Sequence, residues 1–371
     1  MTATGTGEAR RGRAAVGGRL ALAFFQRREA SILLVVVALI VYFAAQEQSF
    51  YEGDNVRTIG ERLAPLALIA AGEVMLLICG EIDLSPGFVY ALAPFMVFYC
   101  DNVGIPVGVG VVVAVVASAL VGLTNGVITV FFGLPSFITT LGMAFLLNGI
   151  TLTTSEGVQV LMPGGETFTK IFADPKPIPD IPWRDKIGGI QLPNEIPLPA
   201  TFLWALGIIL LIHLVLTRTR WGLYTIATGG NIVGASESGV NVRGIKIGNF
   251  VLCSVLGGFA GILESVRITS ILPLQGGYPV MFLAVAGAVI GGTSLFGGLG
   301  TITGAFLGVL VLVILENGFN IIGVSAFKFN IVIGSAILVA MALNVYLARV
   351  RTLGRFEWPF AGLRRIVSQR R

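Results

Sequence analysis

Residues 65–99 form an apolar run long enough to cross a bilayer, but Gly80-Glu81-Ile82-Asp83-Leu84-Ser85-Pro86-Gly87 cuts it in two. An ionised carboxylate or an unpaired backbone group in hydrocarbon costs several kcal/mol. A plain lipid-crossing helix would therefore exclude two acids followed by a Pro-Gly pair. The break has to face protein, water or a membrane boundary. It points to a transport path or a functional hinge rather than an inert anchor.

The rest of the chain supplies the setting. Of its 371 residues 55% are hydrophobic and 12% charged, and the mean hydropathy is +0.87, against roughly 25% charged residues in a soluble domain. This composition predicts an all-α polytopic membrane protein. Apolar runs near residues 32–45, 64–79, 87–100, 105–132, 137–153, 200–216, 247–266, 280–296, 301–318 and 329–347 match the ~20 residues needed per crossing, giving about ten transmembrane helices. Glycine is abundant, with 49 residues, as expected where small residues let membrane helices approach closely. Pairs one turn apart at Gly122/Gly126, Gly257/Gly261 and Gly287/Gly291, and the series Gly300/Gly304/Gly308, read as packing within the chain, with a dimer seam as the alternative. Cys79, Cys100 and Cys253 have no paired spacing, so neither a disulfide framework nor a metal cage is expected.

Charge sets the orientation through the positive-inside rule. Residues 1–30 hold six arginines against two glutamates, residues 217–246 four cations against Glu237, and residues 347–371 seven arginines against Glu357. All three belong in the cytoplasm. Residues 155–199 hold six acids against four cations and belong outside. Five spans before this acidic stretch, one between it and the basic stretch, and four after it satisfy every placement. The expected plan is a basic cytoplasmic tail (1–30), a transmembrane domain (31–349) with an outer loop at 155–199 and a cytoplasmic loop at 218–246, and a second basic tail (350–371). The first thirty residues lack a compact apolar core with a cleavage site and read as a tail before a start-transfer helix.

The outer loop is rich in proline, contains Trp183 and has no helical periodicity. It fits either a docking surface for an extracytoplasmic partner or a solvated spacer. In the cytoplasmic loop, Gly229-Gly230 breaks the chain before Asn231, which is suited to cap a short helix over the small residues that follow. A docking helix and a simple turn between two spans both fit it.

Four ordered segments over about residues 55–349 resemble the permeases of bacterial ABC importers for ribose, xylose and related monosaccharides, in the wider group that includes branched-chain amino-acid permeases. Residues 80–87 are similar to that family's Gly-Gly-Ile-Asp-Leu-Ser-x-Gly signature. Gly122-Leu123-Thr124-Asn125-Gly126 with Leu134-Pro135-Ser136-Phe137-Ile138-Thr139-Thr140-Leu141-Gly142 resembles its Asn-Gly and Pro-x-Phe-Ile-x-Thr-Leu-Gly segments. Gly229-Gly230-Asn231 with Ala235, Ser238-Gly239-Val240 and Lys246 resembles its coupling loop, and residues 290–298 its Gly-Gly-Thr-Ser-x-x-Gly-Gly turn. Glu81 stands where a glycine is usual, Pro86 where a small or apolar residue is, and the outer loop looks longer.

The resemblance implies a type II ABC importer-like permease, with a dimeric core of two copies or two similar permeases in membrane lipid. It implies ATP-binding subunits that use ATP and Mg, an extracytoplasmic solute-binding protein, no cofactor in this chain and no nucleic-acid partner. The cargo would be a monosaccharide or a related polyol. It places a translocation path or hinge at Glu81, Asp83, Ser85, Gly87, Asn125, Pro135, Phe137 and Thr139, to which the intramembrane charge of Glu73 is added as a candidate, and ATPase coupling at Gly229, Gly230, Asn231, Ala235, Ser238 and Gly239. The sequence has no Gly-x-x-x-x-Gly-Lys-Ser/Thr phosphate loop, so ATP hydrolysis by that route is not expected here.

Other charges inside apolar runs need partners. Glu264 and Arg267, three apart, suit one helix face. Asp83 and Ser85 suit capping of a helix that starts at Pro86. Glu73, deep in its span, fits a path-lining role and a paired structural role equally. His213 is the one histidine, without a His-Glu-x-x-His or an acidic cluster, and reads as a helix-end residue, which argues against an enzyme. The competing classes are an ion-coupled secondary transporter, whose broken helices also place polar groups at mid-membrane, and a passive channel.

Overall fold

The computed structural model describes residues 28–177, 197–325, 328, 330–339 and 342. In chain order its elements are α1 (Arg28–Gln46), a 3-10 turn (Gln48–Tyr51), α2 (Gly53–Ile78), α3 (Pro86–Asn102), α4 (Val107–Phe131), α5 (Ser136–Ser155), β1 (Val160–Leu161), α6 (Gly165–Phe172), β2 (Pro175–Pro177) and β3 (Pro197–Pro199). There follow α7 (Ala200–Arg218), α8 (Arg220–Gly230), α9 (Ile232–Glu237), α10 (Val242–Arg267), β4 (Ser270–Ile271), α11 (Gly277–Ile290), α12 (Ile302–Ile321) and α13 (Asn330–Val339). The chain is an all-α polytopic membrane protein. Among the described residues six helices, α1, α4, α5, α7, α10 and α12, are long and apolar enough to cross a membrane.

The core forms around α2. From Leu63 to Ile78 every residue is buried, because apart from Glu73 this stretch is apolar on all sides and a helix hydrophobic all round belongs inside. It packs against α7, α10, α11 and α12. By contrast α1, α4, α5 and α7 present Leu, Val, Ile and Phe side chains outward, as lipid-facing helices do. The partner α10 runs antiparallel to α2: Arg267 meets Glu61, Gly72 abuts Cys253, and Lys246 meets Glu81. Both are 26 residues long.

Backbone contact at glycine sets the close helix pairs. Gly257 and Gly261 of α10 lie against Pro86 and the Tyr90 carbonyl of α3, Gly122 and Gly126 of α4 against Phe250 and Ile247 of α10, and Gly291 of α11 against Gly304 of α12. The Gly-x-x-x-Gly pairs therefore serve packing within the chain. Pro94 inside α3 cannot donate to the carbonyl four residues earlier, which is that of Tyr90, and Gly261 closes on this freed oxygen.

Several expectations change. The run at 280–296 is not one span: α11 is 14 residues, about 21 Å, and ends where Gly291-Gly292 turns. It begins beside Gly87, at the start of α3. The outer loop contains α6, whose Phe168 and Phe172 rings lie 4.7 Å apart, with Phe172 stacked 5.3 Å from Trp204. Eight residues are too few for a periodicity window to register. Residues 178–196, with Trp183, residues 1–27 of the first basic tail and the whole of the second lie outside the described residues; residues 28–30 already belong to α1. β1 pairs with β4 and β2 with β3, both antiparallel, which puts residues 160–161 and 270–271 on one face.

A pair of substitutions tests this packing. A Cβ at Gly261 would collide with the Tyr90 carbonyl oxygen, whereas Gly142 has nothing within 4 Å. Gly261→Ala should destabilise by about 1–3 kcal/mol, read as a lower melting temperature of the purified chain. Gly142→Ala, which gains helix propensity, should melt at or above the parent temperature. Equal melting of the two variants would refute this packing.

Candidate functional site

The break begins where α2 ends. Gly80 has φ +76°, its N–H donates to the Leu77 carbonyl (2.9 Å) and the Glu81 N–H to the Leu76 carbonyl (3.1 Å). This pattern closes a helix through a left-handed glycine. The chain then returns through residues 81–85 to Pro86, which lies against Gly257, midway along α10. The N-terminal ends of α3 and α11 meet there, Gly87 against the Gly277 carbonyl.

The returning segment is held by a buried polar cluster. Asp83 Oδ1 accepts from the Ser85 N–H (2.8 Å) and the Ser85 hydroxyl (2.7 Å). Asn125 Nδ2 of α4 donates to Ser85 Oγ (2.9 Å) and lies 3.4 Å from both Asp83 oxygens. All three residues are fully buried. The Ile82 N–H donates to Ser136 Oγ at the start of α5 (3.3 Å). Asp83 thus does not cap α3 as expected. It folds back on Ser85, whose own carbonyl accepts from Phe88 and Val89 while Pro86 takes the first helical position. The cluster ties α4 and α5 to the break.

The other expected site residues separate into distinct places. Glu81 pairs with Lys246 at 2.5 Å. Glu73 is fully buried between α2 and α10; its Oε1 accepts from the Cys253 thiol (3.1 Å), and Oε2 has no partner among the described residues. Pro135 precedes α5, Phe137 is half exposed, and Thr139 is buried with its hydroxyl unpartnered among the described residues. Glu264 and Arg267 pair at 2.6 Å as expected, joined by Glu61, and Arg62 pairs with Glu316.

Residues 220–237, in the loop expected to be cytoplasmic, form two helices. Gly229-Gly230 ends α8 and the chain breaks at the extended Asn231, as expected, and Gly229 is pressed on the Ile78 carbonyl, where no side chain fits. Gly230 has open space around it. Asn231 caps α9, its Oδ1 accepting from the Gly234 N–H (3.0 Å). Ala235 is buried, and the Ser238 hydroxyl donates to the Gly234 carbonyl. Gly239, with φ +82°, ends α9 through the same left-handed closure as Gly80. Ile232 and Val233 of α9 are 48% and 61% exposed.

Sequence reasoning missed Asn249. Its Nδ2 lies 3.2 Å from the Met75 carbonyl, Cys79 Sγ and Thr225 Oγ1, while Oδ1 accepts from the Trp221 indole (2.8 Å), joining α2, α8 and α10. It also missed Tyr278, whose ring meets Phe88 (4.8 Å), Phe282 (5.9 Å) and Phe145 (6.1 Å) beside the junction of α3 and α11. A fully buried asparagine in an apolar helix was the available signal for the first, since such a group needs partners. The Gly276-Gly277 pair beside Tyr278 was the signal for the second.

Comparison with known proteins follows the same segments. The family described as branched-chain amino acid transport system / permease component matches residues 55–342. The xylose/arabinose import permease protein of Sulfolobus acidocaldarius is 37% identical over 315 residues, 83% of this chain and 82% of the relative. The ribose import permease protein of Escherichia coli K12 is 34% identical over 300 residues (80% and 87%), and the D-allose transport system permease protein of the same strain is 31% identical over 297 residues (80% and 84%). No solved structure matches the chain significantly.

Removing the Asp83 carboxylate leaves the Ser85 N–H, the Ser85 hydroxyl and the Asn125 amide facing a void. Asp83→Ala should lower stability by about 1–3 kcal/mol, while Asp83→Asn, which keeps an acceptor oxygen in place, should retain most of it. Melting of the detergent-purified variants checks this, and an Ala variant as stable as the Asn variant would contradict it.

Proposed function

The chain belongs to the branched-chain amino acid transport system / permease component family, and from that premise we propose that it is the membrane-spanning permease of an ATP-driven importer for a monosaccharide. The observation that carries the reading is 37% identity, over 83% of this chain, to a xylose/arabinose import permease. Ribose and D-allose permeases at 34% and 31% identity support a sugar as the cargo class.

The partners follow from that reading. ATP-binding subunits, which use ATP and Mg, would dock on α9, where Ile232 and Val233 are exposed aliphatic side chains on a capped helix. An extracytoplasmic binding protein would deliver sugar at the opposite face, and a second copy or a similar permease would complete the core. The pairing of β1 with β4 and the charge distribution support an orientation with both termini and residues 218–246 in the cytoplasm. Asp83, Ser85 and Asn125 would hold the break in shape while neighbouring helices shift. The aromatic cluster at Tyr278 offers flat apolar faces for a sugar ring.

Reconstitution tests this. Proteoliposomes holding the permease with its ATP-binding subunits, ATP enclosed and binding protein outside, should accumulate labelled xylose, arabinose, ribose or allose. Without enclosed ATP they should not. Accumulation driven by an ion gradient without nucleotide would favour the secondary transporter, and nucleotide-free equilibration a channel.

A further inference from the structure

Three polar side chains one or two turns apart on α10, Lys246, Asn249 and Cys253, all face α2 and the break. Cys253 holds Glu73, Asn249 holds the Met75 carbonyl, and Lys246 holds Glu81. The first two contacts lie within the packed helix pair. The third joins two segments that each leave that pair: Glu81 is the first residue past the glycine that closes α2, and Lys246 lies in the second turn of α10, just after α9 and its closing turn.

The pair is neither a surface contact nor slack. The two side chains are 13% and 16% exposed with Nζ to Oε1 at 2.5 Å, so salt screens them less than an exposed pair. Glu81 has little freedom to follow Lys246 by local adjustment, because its own N–H is fixed to Leu76 and the next N–H to Ser136. Beside the pair lies a cavity of about 480 Å³, lined also by Ile232 and Ser236 of α9 and by Thr129 and Arg243. This space lies between α9 and Glu81; α9 connects to the break through the start of α10 on one side and through the end of α8, where Gly229 meets the Ile78 carbonyl, on the other.

We propose that the Glu81–Lys246 ion pair is a positioning element of transport, through which displacement of α9 and the start of α10 is passed to residues 80–85. The proposal rests on the reading of α9 as the ATPase-docking helix. At this level of α10, Arg243 and Ile247 meet Phe131 and Gly126 of α4 and Gly248 meets Trp221 of α8, whereas Lys246 alone reaches the break.

The test uses Lys246→Met, Glu81→Gln and the charge-swapped double variant Glu81→Lys/Lys246→Glu. In the assembled importer, sugar taken up per ATP hydrolysed should fall about tenfold in each single variant and recover in the swap. A merely structural loss would lower uptake and hydrolysis together and leave this ratio unchanged. Hydrogen exchange in the permease alone gives an arm independent of cargo: amides of residues 80–84 should exchange faster in the single variants and regain protection in the swap. Single variants with the parent ratio and parent exchange would overturn the proposal, as would a swap that stays as poorly coupled as the singles. A parent importer that takes up none of the four sugars would overturn the sugar reading, while the exchange arm still decides whether the pair holds the break.

Discussion

The buried C-terminal end of α2 is the constraint on which the rest depends. A helix ends with carbonyls that have no partner within it, and here they end inside protein, where an unpaired one costs about 1–3 kcal/mol. Each of the last four is satisfied. Met75 accepts from Asn249, Leu76 from the Glu81 N–H, Leu77 from the Gly80 N–H, and Ile78 from the Gly298 N–H at 2.8 Å. Two of these donors come from the break itself, one from α10 and one from the turn after α11. Gly229 of α8 covers the same Ile78 oxygen. Three chain segments distant in sequence, α8, α10 and the turn after α11, are thereby drawn to one helix end.

That junction explains why polar and glycine-rich sequence lies where an apolar run was interrupted. Gly80 supplies the left-handed turn, Gly229 and Gly298 supply backbone approach, and Asn249 supplies a donor that no apolar residue has. Beyond the junction the break is held a second time, by Asp83, Ser85 and Asn125, and on its other side by Ser136. The segment is thus pinned at Gly80 and again at Ser85, with Glu81 between them on Lys246. A region held at both ends and tied sideways to the start of α10 is suited to pass on displacement rather than absorb it.

Much of this was legible in the sequence, for physical reasons. The break announced itself because two carboxylates and Pro-Gly in an apolar run are costly unless partnered, and the glycine pairs because a one-turn spacing puts them on one face. Asn231 was legible as a cap because its side chain acts on the adjacent turn. The partners of Glu81 and Asp83 were not, since Lys246 and Asn125 lie 165 and 42 residues away and a single polar residue carries no pattern that names its partner. Length misled at 280–296, where apolar character runs on through a Gly-Gly turn and hides the end of α11. The short α6 was missed for the opposite reason, too little sequence to outweigh the prolines around it.

The central claim is that movement of the short helix α9 reaches the membrane break through the end of α2 and the start of α10. The most direct measurement is the rate at which a small thiol reagent modifies Ile82→Cys, half-buried in the break, in the assembled importer with Cys100→Ser as background. ATP should change that rate several-fold in the parent, and the change should vanish when Val233→Glu, at an exposed position of α9, prevents docking. A rate indifferent to ATP in the parent, or an ATP response that survives Val233→Glu, would contradict the account.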